Sequence, residues 1–184
     1  MMQELSLNIL DVAQNSVKAR ATLIAISVEE DAAADLLRIT IADNGCGMTP
    51  QVLSRVTDPF YTTRTTRKVG LGVPLLKMGC EMTDGRFSIE SEPGKGTTVL
   101  AALGLRHIDR SPLGDIGSTV VSLIQCNPDI DFVYTHRTEK GEFSADTREF
   151  RAVLEGIPLS SPEVVAFIRA YIGEHLNEIE GGRV

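Results

Sequence analysis

The chain has 184 residues, 42% of them hydrophobic, with 25 acidic and 18 basic side chains. That length admits one domain, or one domain with an extension, around a real apolar core, and the net charge of −7 argues against nucleic acid or an anionic membrane as partner. Three cysteines without metal-ligand spacing (Cys46, Cys80 and Cys126) predict free thiols in a reducing, cytoplasmic setting, no apolar run nears the roughly 18 residues of a membrane span, and Met1 to Leu5 lacks the features of a secretory signal.

In chain order, residues 4–20 read as an amphipathic helix. Ile9, Leu10, Ala13 and Val17 share one side. Asp11, Asn15 and Lys18 share the other, joined by Glu4 and Asn8. Two strands follow, Leu23 to Val28 and Leu36 to Ala42, and Asp43 stands where the second ends. Thr49-Pro50 opens a short helix, with Thr49 as N-cap, running to near Thr57. Asp58 to Lys68 has no clear periodicity and carries Arg64, Arg67 and Lys68. Gly70 and Gly72 precede an apolar helix from about Val73 to Met82. Arg86 to Glu92 and Thr97 to Leu105 are strands joined by the turn Pro93-Gly94-Lys95-Gly96. The fold class expected is a two-layer α/β sandwich with a mixed sheet. A composition shift at His107 to Pro112 places a boundary near residue 105, with 106–184 as a C-terminal α/β extension. In the extension, helices are predicted over Leu113 to Gln125, Thr147 to Leu154 and Pro162 to Glu178, and a hairpin over Asp131 to His136 and Glu142 to Asp146. Ile168, Tyr171, Ile172, Leu176 and Ile179 form an apolar stripe expected to pack into a core.

Four stretches carry chemistry. On the first helix, the Asn15 amide oxygen suits magnesium held mainly by substrate phosphates. Asp11, one turn earlier, suits orientation or deprotonation of a water near a terminal phosphate, and Lys18 suits phosphate charge. An ordinary solvated helix face has the same pattern. Asp43, with Gly45, Gly47 and Met48, offers a carboxylate to an adenine amino group, glycines for close backbone approach and a soft apolar wall; a plain glycine-rich turn is the other reading. A calcium loop is excluded, because its alternating oxygen ligands and final glutamate are missing. Gly70-Leu71-Gly72 before a helix offers N–H groups to phosphate. Gly94-Lys95-Gly96-Thr97 is not a Walker loop, since the spaced upstream glycine is absent.

Jointly, these stretches resemble the ATP-binding domain shared by histidine kinases, DNA gyrase and MutL, the GHKL superfamily. Asp11 to Lys18 resembles its N box, Asp43 to Gly47, Gly70 to Gly72 and Gly94 to Thr97 its three glycine boxes, and Asp58-Pro59-Phe60-Tyr61-Thr62-Thr63 the phenylalanine box of bacterial sensor kinases. The resemblance covers about 100 residues and implies a Bergerat-type fold with ATP and Mg2+ as ligands. It implies that Asn15 holds magnesium, Asp43 reads adenine, Thr97 supports Asp43 through water and Lys18 meets phosphate. Gly45, Gly47, Met48 and Leu71 complete the nucleotide set. By the same resemblance Gly70 and Gly72 would hinge a lid that carries Arg64, Arg67 and Lys68; a solvated loop is the other reading of those charges.

The chain also departs from that pattern. Asp11 stands where glutamate is usual in the ATPases and histidine or asparagine in the kinases, Lys68 replaces a glycine and Pro74 a serine. No phosphoacceptor helix is seen ahead of the ATP domain. His107-Ile108-Asp109-Arg110-Ser111-Pro112 approximates the acceptor motif, but its acid comes one residue late, and a linker is expected there. The function expected is an ATP- and magnesium-using, histidine-kinase-like catalytic module that acts in trans on a partner protein, without nucleic acid or membrane and compatible with a homodimer. The alternatives are an ATPase-type conformational switch and a non-catalytic nucleotide sensor.

Overall fold

The computed structural model describes residues 4–58 and 72–180. Helix α1 (Leu5–Lys18) leads to strands β1 (Leu23–Asp31) and β2 (Leu36–Asp43), helices α2 (Pro50–Leu53) and α3 (Gly72–Glu81), and strands β3 (Arg86–Glu92) and β4 (Gly96–Gly104). Beyond residue 105 come α4 (Ile116–Cys126), β5 (Asp131–Thr138), β6 (Gly141–Asp146), α5 (Thr147–Leu154) and α6 (Pro162–Glu180). The elements match the sequence expectation in order and kind. The fold is the two-layer α/β sandwich expected from the sequence, with helices against a mixed sheet.

Several boundaries moved: β1 runs on to Asp31, β5 to Thr138 and α6 to Glu180, and two shifts at helices have a local cause. α2 ends at Leu53 rather than near Thr57. The chain continues in turns, with Arg55 N–H donating to Val52 and Asp58 N–H to Arg55, through β-branched residues and into a proline that disfavours helix before it. α4 starts at Ile116 rather than Leu113, because Gly114 takes φ +75° and the Asp115 carboxylate caps the helix by accepting from Ser118 N–H at 2.8 Å.

The sheet order is β3-β4-β2-β1-β5-β6. Every neighbouring pair is antiparallel except β1 and β5. The sheet therefore runs without a break from the first 105 residues into the extension, with Ile24 opposite Phe132 and Val28 opposite His136. Alternation decides which face is covered. Ile24, Ile26 and Val28 of β1 and Leu37, Ile39 and Ile41 of β2 are buried under the helices. The opposite face carries Arg38, Glu29 and Arg137, linked by ion pairs at 3.4 and 3.7 Å.

α1 is tied to the extension at its first turn. Its free N–H groups at Leu5 and Ser6 donate to the carbonyls of Pro112 and Leu113 at 2.9 and 2.8 Å. Ile9 and Ala13 enter the core as expected, while Leu10 and Val17 pack against it half-buried. Asn8, assigned to the polar face, is instead 5% exposed, because α3 and the strap from Asp109 to Ser111 pack along that flank. The α6 stripe is core: Ile168, Ile172, Leu176 and Ile179 are buried. Tyr171 stays half-buried among Phe143, Phe150, Phe167 and His175.

Candidate functional site

A cavity of about 350 Å³ opens where the C-terminal end of α1, the end of β2, α2, the start of α3 and the β3–β4 hairpin meet. That volume falls within the range of small-ligand pockets. Asn15, Lys18, Asp43, Gly47, Met48, Gly72 and Thr97 line it. Residues far apart in sequence thus converge on one concavity. Asp11 and Gly45 each adjoin a lining residue, Asp11 next to Gly72 and Gly45 bonded to Asp43. Arg64, Arg67, Lys68, Gly70 and Leu71, together with Phe60 and the rest of that box, lie outside the described residues.

Helical spacing puts Asn15 and Lys18 on the rim, both exposed. Asp11, one turn earlier, faces the first residue of α3: a Cβ built on Gly72 would stand 2.8 Å from Asp11 Cβ and 3.3 Å from its Oδ2. The carboxylate therefore sits at the positive end of α3, where negative charge is favoured. Asp43 is held at both oxygens. Oδ1 accepts from Gly45 N–H at 2.8 Å, and Oδ2 accepts from Ser16 Oγ at 2.6 Å.

The loop after Asp43 is fixed by its own residues. The Asn44 side chain accepts from the N–H groups of Thr22 and Leu23 and donates to Thr22 Oγ1. Cys46 N–H donates to Ala19, and Gly94 N–H donates to Cys46. Gly47, at φ +65°, lies against the Glu92 carbonyl, so a side chain would collide there. Thr97 is opposite Asp43 in the β2–β4 register. Its hydroxyl meets Ser91 Oγ at 2.9 Å, and Ser91 Oγ also accepts from Met48 N–H at 2.8 Å. Among the described residues, the hydroxyl in direct contact with Asp43 is that of Ser16.

Sequence reasoning missed Ser16, Ser91 and the apolar wall of Val12, Val52, Val56, Val73, Pro74, Ile89 and Val99. Ser16 had a signal in its place beside Asn15 one helical position on. Val52 and Val56 had none, since they reach the cavity only through the short helix and the turns that follow it.

The three histidines stand away from the cavity. His107 follows the far end of β4, which starts at the cavity with Gly96 and ends at Gly104, about 26 Å away at the usual strand rise. Its ring lies 3.8 Å from Asp84 and 3.9 Å from Asp109. His136 is fully buried, with Nδ1 bonded to the Tyr134 hydroxyl at 2.8 Å, and burial lowers its pKa to about 4. His175 stacks on Phe143. No group of three or more metal-ligating side chains occurs among the described residues, nor a helix long and apolar enough to cross a membrane.

The profile of the family described as histidine kinase-, DNA gyrase B-, and HSP90-like ATPase matches residues 1–107. Among curated proteins, the chain is similar to the sensor protein kinase FleS of Pseudomonas aeruginosa, at 36% identity over 108 residues. It is also similar to the non-motile and phage-resistance protein of Caulobacter vibrioides, at 32% over 111 residues. These matches cover 59% and 55% of this chain but only 26% and 13% of the relatives. In fold, the chain resembles the crystal structure of the N-terminal domain of a DNA repair protein, with TM-score 0.55 at 18% identity, covering 79% of this chain and 52% of that one. That share exceeds residues 1–107, so the likeness in fold runs into the extension.

Proposed function

The chain belongs to the histidine kinase-, DNA gyrase B-, and HSP90-like ATPase family, residues 1–107 being its ATP-binding, histidine-kinase-like module, and from that premise we propose that it is a protein kinase catalytic module acting in trans on a partner protein in the cytoplasm. The observation that carries this reading is the convergence of Asn15, Lys18, Asp43, Met48 and Thr97 on one cavity.

In this reading, Asp43 accepts a hydrogen bond from the adenine amino group, and the apolar wall with Met48 covers the ring. Gly47 and Gly45 keep the backbone close to it. The donor set fits a magnesium–phosphate group, because Asn15 brings a neutral amide oxygen to the rim beside the ammonium of Lys18. Magnesium, when bound, supplies charge neutralisation and orientation of the phosphates. Lys18 adds positive charge there, and the positive end of α3 lies across the cavity. Phosphoryl transfer asks for positioning and charge more than for covalent chemistry, and these residues supply both. The position of His107 supports an acceptor on another molecule, since within one chain it stands at the opposite end of β4.

A second reading, an ATPase-type switch, draws on Asp11. Its carboxylate at the start of α3 is a base beside the expected phosphate position, suited to orienting a water. Incubation with Mg-ATP labelled on the terminal phosphate separates the readings. Label on a partner protein, lost in Asn15→Ala and Asp43→Asn, is the kinase result. Free phosphate without protein label, lost in Asp11→Ala, is the switch result. Bound but unconverted ATP, with no partner labelled in a lysate, would replace both with a nucleotide sensor.

A further inference from the structure

We propose that Ser16 is the positioning residue that makes the site selective for a 6-amino purine over a 6-oxo purine; the inference rests on the nucleotide reading given above. Ser16 is 5% exposed on α1 and lies 27 residues from Asp43 in sequence, yet its Oγ is 2.6 Å from Asp43 Oδ2, and both residues line the cavity. An ionised carboxylate only accepts, so the single hydroxyl proton of Ser16 goes to Asp43. Gly45 N–H holds the other oxygen at 2.8 Å. With a donor on each oxygen, the carboxylate plane is fixed.

The consequence is electrostatic. Toward the cavity, Asp43 and Ser16 together present lone pairs and no proton. A ligand that places an amino group there completes a hydrogen bond to a charged acceptor, the stronger kind. A ligand with a carbonyl at the same position sets acceptor against acceptor. Removal of the Ser16 hydroxyl frees Oδ2, lets the carboxylate turn and admits a water. A water donates as readily as it accepts, and so bridges Asp43 to a 6-oxo group. Ser16 therefore acts through Asp43, without itself touching the base.

The test is isothermal titration of the full chain with ATP and with ITP, in excess magnesium, for wild type, Ser16→Ala and Ser16→Cys. The expected result is a wild-type preference for ATP that falls about tenfold in Ser16→Ala. Ser16→Cys, which keeps a weak donor, should be intermediate. The ratio reports on the base edge alone, so a general loosening of the fold that weakens both ligands equally leaves it unmoved. An unchanged ATP-to-ITP ratio in both variants would overturn the role of Ser16 and leave the nucleotide reading standing. Wild type that binds neither nucleotide would overturn the nucleotide reading and this inference with it.

Discussion

Gly72 opens α3 directly against Asp11, so close that a methyl group on its Cα would stand 2.8 Å from Asp11 Cβ. Asp11 belongs to the first helix of the chain and Gly72, which lines the cavity, opens α3, so their contact fixes how closely the two helices approach beside it. Gly72→Ala should force α1 and α3 apart. Overpacking costs about 1–3 kcal/mol, and the better helix propensity of alanine offsets up to ~1 kcal/mol of it. The expected outcome is a Tm change of only a few degrees with ATP affinity down about fivefold or more, read by thermal unfolding and by titration. Unchanged affinity would mean that the contact does not shape the site.

Gly96 is the less forgiving glycine. It takes φ +115°, and a Cβ there would overlap the carbonyl of Asp43. Gly96→Ala combines a strained backbone with a clash against the end of β2, the strand that carries Asp43. A loss of about 3 kcal/mol is expected, a large part of the stability of a domain this size. The urea midpoint measures it, and a loss under ~1 kcal/mol would contradict the packing described.

His136 makes stability depend on pH. Its side chain is buried beside Tyr134, and burial lowers its pKa from 6.5 to about 4. The unfolded chain therefore binds this proton more tightly than the folded one. The stabilisation is fully present above pH 6.5 and is lost as pH falls from there towards 4, by up to ~1.4 kcal/mol per pH unit. Asp31, Asp115 and Asp146 are held below the usual carboxylate value, chiefly by hydrogen bonds from Ala34, Ser118 and Arg148, so their own contribution to stability is lost at lower pH than that of His136. Urea unfolding at pH 7, 6 and 5 should show the slope in wild type and a flatter one in His136→Phe. Equal slopes would remove His136 as the cause.

A chain ended at residue 105 tests whether the first part stands alone. In the full chain, β1 is covered on one edge by β5, α1 packs against α4, and the first N–H groups of α1 are satisfied by Pro112 and Leu113. Truncation bares a long strand edge and the inner face of α1. We expect 1–105 to aggregate or to lose its cooperative thermal transition. A soluble fragment with a wild-type Tm would instead make residue 105 a true domain boundary.

Much of this was legible in the chain itself. The 3.6-residue spacing of Ile9 and Ala13, the alternation in β1 and β2, and the Thr49 cap followed by proline at the first helical position each announce an element locally, and the structure has all of them. The candidate site was legible where it consists of short patterns, as at Asp43 to Gly47. It was not legible where a residue matters through a distant neighbour. Nothing around Asn8 tells that α3 and the strap will bury it, and nothing around Ser91 tells that it will hold both Met48 and Thr97.

The sequence by itself determined the order of elements and the family, because periodicity, turn chemistry and short motifs are local properties of the chain. The tertiary structure alone decided that the sheet continues through β5 and β6, that Ser16 fixes Asp43, that Asp11 meets Gly72 and that His136 lies in the core. Each of these is a contact between segments far apart in sequence. Such contacts form only when burial of the common core brings the segments together, and no local preference of either partner encodes them.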